Sequence, residues 1–91
     1  MNGVHLIVSG RVQGVGFRAF VRDEARDLSI RGAVWNTRNG DVEILAGHES
    51  GAALADFELK VRGGPGFVAN IVRTDRSATS FGPGFEIRST V

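Results

Sequence analysis

Nine consecutive residues, Gly10-Arg11-Val12-Gln13-Gly14-Val15-Gly16-Phe17-Arg18, stand between a run of alternating apolar residues and a run with helical apolar spacing. Before them, Val4, Leu6 and Val8 share one face of a strand by period two, with His5, Ile7 and Ser9 on the other. After them, Phe17, Phe20, Val21, Ala25 and Leu28 fall at helical spacing, while Arg22, Asp23, Glu24, Arg26 and Asp27 face water. Three glycines in seven positions ahead of a helix start let backbone N–H groups turn toward one point, where an anion also meets the positive end of the helix dipole. Arg18 closes the loop and opens the helix, so its guanidinium can fold back and grip oxyanion oxygens as a fork. The segment reads as an oxyanion cradle with its own counter-charge. The alternative on spacing alone is a tight connection whose glycines only relieve steric strain. Two better-known phosphate loops are excluded: G-x-x-x-x-G-K-[ST] needs a Lys and a hydroxyl that are absent, and G-x-G-x-x-G fits no register of Gly10, Gly14 and Gly16.

Size decides where a function can sit. Ninety-one residues with 42% hydrophobic content predict one domain over residues 1–91, too small for a separate substrate domain. Without cysteine there is no disulfide framework, thiolate nucleophile or zinc knuckle, which fits a reducing cytoplasm. Met1-Asn2-Gly3-Val4-His5 shows no basic segment followed by a long apolar one, so a soluble cytoplasmic protein is expected, with no membrane partner. Eleven basic and ten acidic residues are mixed along the chain, giving a formal charge of +1 and no basic stripe. Nucleic-acid binding is not expected, because such a stripe supplies most non-specific affinity for polyanions. One small anion in one local cradle fits this charge balance.

Ile30 to Thr37 reads as a strand, Arg38-Asn39-Gly40 as a hairpin turn with residues suited to positive φ, and Asp41 to Ala46 as the returning strand. Ser50 is the expected N-cap of a second helix with Leu54, Phe57 and Val61 on one face, stopped by Gly63-Gly64-Pro65. Val68 to Thr74 and Phe85 to Arg88 read as strand, separated by a Gly/Ser-rich loop from Ser77 to Gly84. The order β-α-β-β-α-β is the split βαβ arrangement of ferredoxin-like α+β folds: a mainly antiparallel sheet of four to five strands in order 4-1-3-2, with two helices on one face. Because that fold hosts many functions, it nominates none.

Asn36, near the end of the second strand, is the next informative residue. A carboxamide accepts with its oxygen and donates with its nitrogen, which suits holding a water in line with a phosphorus atom. The alternative is an Asn that satisfies the backbone of the turn.

These residues carry a resemblance. Gly10 to Arg18 resembles the acylphosphatase signature G-x-V-Q-G-V-x-F-R, and Gly32 to Glu43 resembles its second signature, G-x-V-x-N-x-x-x-G-x-V-E. The likeness extends to Phe57, Gly64-Pro65 and the closing Phe85-Glu86-Ile87-Arg88, nearly the whole chain. It implies the ferredoxin-like fold and hydrolysis of acyl phosphates to a carboxylate and inorganic phosphate. It further implies that Arg18 binds the phosphate together with backbone N–H groups of Gln13, Gly14, Val15, Gly16, Phe17 and Arg18, and that Asn36 orients the attacking water. No cofactor, metal or phosphoenzyme is expected. The partners implied are a small acyl phosphate, with inorganic phosphate as product and inhibitor, acting on a monomer. An acyl phosphate carries a good leaving group, so positioning and charge stabilisation suffice without a protein nucleophile. Ala33, Trp35 and Gly16 depart from what many relatives carry, without touching the two residues with assigned chemistry.

Other residues are expected to be ordinary. His5 and His48 lack acidic partners at ligand spacing and are read as surface or edge positions. Asp41 and Glu43 are read as alternation on a solvated strand face, Arg22 and Arg26 with Asp23 and Asp27 as a solvent-facing charge set, and Trp35 as an exposed residue covering the sheet. Three rival readings are an idle anion-binding or regulatory module of the same fold, the acylphosphatase-like domain that opens larger carbamoyl-transferring maturation proteins, and an RNA-binding sheet. The second continues into cysteine-rich zinc segments that this chain lacks, and the third needs an aromatic-rich central strand.

Overall fold

The computed structural model describes residues 1–77 and 81–91. Its elements run β1 (Asn2–Arg11), α1 (Phe17–Asp27), β2 (Arg31–Asn36), β3 (Val42–His48), α2 (Gly51–Arg62), β4 (Phe67–Ser77) and β5 (Phe85–Ile87). The five strands form one sheet in the order β4-β1-β3-β2-β5. All neighbours are antiparallel except β2 and β5, which run parallel from Gly32↔Phe85 to Val34↔Ile87. The expected 4-1-3-2 core is present, and the last apolar run adds a fifth strand beyond β2. Within the expected loop from Ser77 to Gly84, Ser77 belongs to β4 and residues 78–80 lie outside the described residues.

Register decides which side chains meet. Leu6 faces Ile44, which faces Val34, and one step along Val8 faces Val42, which faces Asn36. This side of the sheet receives the helices, because Phe17, Val21 and Ala25 of α1 and Leu54, Phe57 and Val61 of α2 are buried against it. Phe57 meets Phe85 edge-on, ring centroids 6.1 Å apart, a favoured aromatic geometry. Asn36 therefore occupies the core side of the sheet at its end, next to two buried valines.

The other side carries His5, Ile7, Trp35, Glu43 and Leu45, all half-buried. Two expectations need correction there. Glu43 does not share a solvated strand face with Asp41, which precedes β3; instead its carboxylate meets His5 Nε2 at 2.8 Å across the β1–β3 pair. Trp35 is not an exposed cover: it stacks on His5 at 6.4 Å and 27°, with the Arg88 guanidinium 5.9 Å from its ring centre. His48 is also occupied, its Nδ1 accepting from Ser50 N at 2.8 Å. On α1, Arg22 pairs with Asp23 as a surface charge, but Arg26 reaches away from Asp27 to donate to the Phe85 carbonyl at 3.2 Å.

Gly10 has a different task from the one its place in the loop suggested. It lies inside β1 at φ 126°, where the pairing with β4 shifts register between Ser9 and Gly10, and a Cβ there would stand 2.2 Å from the Phe67 carbonyl oxygen. It is a bulge glycine that permits close strand approach, and the loop proper keeps Gly14 and Gly16. In the hairpin turn only Gly40 adopts positive φ. Among the described residues no helix is long and apolar enough to cross a membrane.

Candidate active site

The β1–α1 loop is pinned at both ends by core residues. Val12 and Phe17 are buried at 1% exposure each, so the four residues between them must arch outward. Gly14 at φ 75° and Gly16 at φ 81° supply the left-handed turns that the arch requires. The turn after α2 lies underneath: a Cβ on Gly64 would stand 2.6 Å from the Phe17 ring, and one on Gly66 would stand 2.0 Å from the Arg11 carbonyl oxygen.

The arch ends in an uncapped helix. Gly16 is the N-cap of α1 and has no side chain to bond the first-turn amides. No backbone or side-chain acceptor among the described residues takes a hydrogen bond from the amides of residues 13–18. At α2 the opposite holds, since Ser50 Oγ accepts from Ala53 N at 3.3 Å. The first turn of α1 thus presents free N–H donors at the positive end of the helix.

These donors border a cavity of about 200 Å³ lined by Gly14, Gly16, Phe17, Arg18 and Asn36, with Val12, Ala19 and Ile87 as its apolar walls. Arg18 is half-buried and makes no ion pair among the described residues. Asn36 Oδ1 is buried without a hydrogen-bond partner, alone in this among the described side-chain atoms. A wider cleft of about 640 Å³ lies against Val4, Gly51 and Arg73, but it offers less chemistry. Its helix start is capped by Ser50, and Arg73 is already paired with Glu58 and Asp75.

Asn36 is held firmly by its backbone. Its strand is paired with β3 on one edge, and on the other its carbonyl accepts from Val91 N at 3.0 Å. A side chain on a strand fixed at both edges keeps its aim better than one on a loop. The structure therefore brings Arg18 and Asn36 to one cavity across a sequence gap that local patterning cannot bridge. Gly14, Gly16 and Phe17 line the cavity with them, whereas Gln13 and Val15 do not. The Gln13 side chain instead donates from Nε2 to the Thr37 carbonyl at 2.7 Å and the Asp41 carbonyl at 2.8 Å. Sequence reasoning had no signal for that bond, nor for Ile87 in the wall, because both depend on partners far along the chain.

The architecture is a ferredoxin-like α+β sandwich whose uncapped, glycine-rich helix start shares one cavity with an arginine and an asparagine. The acylphosphatase family model matches residues 4–87, and the chain belongs to that family. An acylphosphatase of Azorhizobium caulinodans is 40% identical over 91 residues, covering 97% of this chain and 96% of that protein. One from Lactococcus lactis is 58% identical over 60 residues, 66% of this chain and 62% of that protein. The crystal structure of acylphosphatase from Bacillus subtilis superposes with a TM-score of 0.91 at 41% identity, covering 97% of this chain and 99% of that one.

Proposed function

We propose that this acylphosphatase-family chain hydrolyses acyl phosphates by in-line attack of a water positioned by Asn36 on a phosphoryl group held by Arg18 and the amides of the Gln13–Arg18 loop. One observation carries the reading: Asn36 lines the cavity that Arg18 also lines, and its Oδ1 is buried without a hydrogen-bond partner. A buried acceptor without a partner costs about 1–3 kcal/mol. Such a cost is tolerated where the group serves a ligand. Oδ1 accepts a hydrogen from the water and so turns an oxygen lone pair toward phosphorus.

The remaining lining supports the same division of labour. Among the described residues it holds no Ser, Thr, Cys, His or carboxylate that could form a phosphoenzyme or act as a general base. The water oxygen bonds to phosphorus, the bond from phosphorus to the acyl oxygen breaks, and the carboxylate leaves with both electrons of that bond. The water proton passes to a phosphate oxygen of the substrate. Arg18 and the free amides meet negative charge on the equatorial oxygens, where fixed donors need no reorganisation. In this reading the enzyme works as a monomer, without a metal.

An idle anion-binding module would use the same cradle but would have no need to place a water. Hydrolysis of benzoyl phosphate in excess chelator separates the two. We expect turnover, with Asn36→Ala lowering kcat by about two to three orders of magnitude and leaving phosphate binding nearly intact. Arg18→Ala loses both. A folded wild-type protein with no turnover would leave the binding module as the function.

A further inference from the structure

We infer that Gln13 is a positioning residue that sets the alignment between the phosphoryl-holding half of the site and the water-holding half; the inference rests on the reading above. Gln13 is the first residue of the arched loop, and both carbonyls it grips belong to the β2–β3 hairpin. Thr37 follows Asn36 directly, and Thr37 N donates to the Asp41 carbonyl at 2.9 Å, closing the hairpin. A single Nε2 therefore ties the loop that leads to Arg18 to the strand end that presents Asn36. Among the described residues it makes the only hydrogen bonds between residues 13–16 and residues 36–41.

The residue type follows from the geometry. Two carbonyl oxygens converge on one nitrogen, so that nitrogen needs two hydrogens in a plane and no charge. A primary carboxamide has them. Glutamate would set a carboxylate against two carbonyl dipoles, and methionine would match the length but donate nothing. The loop keeps its arch without the tie, since buried Val12 and Phe17 hold both its ends, so what the tie adds is the placement of the loop relative to the hairpin.

The consequence is a split between binding and turnover. Phosphate affinity belongs to the loop and Arg18, on one side of the tie. Turnover depends on where the water stands relative to that phosphoryl group, and a misplacement of about 1 Å costs about 100-fold. Loss of the tie should thus lower kcat while leaving phosphate affinity in place. A merely structural role would lower the melting temperature and leave kcat unchanged well below it.

The experiment measures kcat and KM on benzoyl phosphate, and Ki for inorganic phosphate, in wild type, Gln13→Met, Asn36→Ala and the double variant. We expect Gln13→Met to lower kcat about 10- to 100-fold with Ki unchanged within about twofold. In the Asn36→Ala background the same change should cost less than about threefold, because the group it aligns is gone. If circular dichroism shows Gln13→Met unfolded, Gln13→Asn is read instead. It keeps both donors but is one methylene short, and it should show the same split at smaller amplitude. A wild-type kcat in the folded Gln13 variant would overturn the inference, as would a full multiplicative loss on Asn36→Ala or a parallel loss of phosphate affinity. Wild-type protein without turnover would overturn the functional reading itself, and the inference with it.

Discussion

Replacing Asn36 by leucine should make the protein more stable and nearly inactive. The two side chains have the same number of non-hydrogen atoms and branch at the same carbon, and position 36 sits on the core side of the sheet beside Val42 and, one strand further, Val8. What the change removes is a buried amide oxygen with no protein partner. Relief of that unpaired acceptor is worth about 1 kcal/mol, the lower end of the range because the cavity is polar on its Arg18 side. For a domain of this length a gain of about 1 kcal/mol raises Tm by about 4–8 °C. In the proposed mechanism the same oxygen acts on the attacking water, and its loss should cost about two to three orders of magnitude in kcat, or about 3–4 kcal/mol of transition-state stabilisation. Thermal unfolding followed by circular dichroism, with steady-state kinetics on benzoyl phosphate, reads both quantities from one preparation. A lower Tm would mean that Asn36 Oδ1 makes a bond the fold depends on. An unchanged kcat would remove Asn36 from the reaction.

Arg18→Lys keeps the charge and loses the planar fork, so kcat/KM and phosphate affinity should each fall more than about tenfold, measured by kinetics and calorimetry. Inorganic phosphate should inhibit competitively, and at 100 times its Kd it should stabilise wild type by about 2.7 kcal/mol in thermal unfolding, an effect absent in Arg18→Ala. Gly10→Ala should cost about 4 kcal/mol or more, because its Cβ would stand 2.2 Å from the Phe67 carbonyl. Gly14→Ala, with open space at the same test, should cost only the left-handed backbone penalty of about 1–2 kcal/mol. Urea unfolding of both variants distinguishes the two kinds of glycine.

Local chemistry carried much of this fold into the sequence. Both helices are written in apolar stripes that a 3.6-residue period places on one face, and Ser50 announces its helix because a hydroxyl at that position finds a first-turn amide. Val4, Leu6 and Val8 declare their strand for the same kind of reason. The cradle was legible as a cluster of glycines before a helix, but not the division of its glycines. Gly10 answers to a carbonyl on β4, some sixty residues away, and Gly14 and Gly16 answer to the arch. The His5–Glu43 pair, the Gln13 bonds and the parallel β5 were hidden for one physical reason. Each depends on which strand lies beside which, and such pairing is set by the whole sheet rather than by any window of residues. Asn36 was visible as a polar residue at a strand end; only register shows that it points among valines.

The chain has a single tryptophan and no tyrosine, so its near-ultraviolet emission comes from Trp35. The indole stands next to Asn36 in sequence but on the far side of β2, stacked on His5 and capped by Arg88. Strand β3 lies between β1 and β2, so that stack forms only when both pairings are in register. Its emission is therefore a built-in gauge of sheet assembly during refolding, separate from helix formation as seen by circular dichroism. It is also a gauge of the working strand. A phosphate in the cavity lies on the opposite side of the sheet from the indole, so a change in emission on binding would report a movement of β2 or of the adjoining Ile87–Arg88 segment and not direct contact with the ligand.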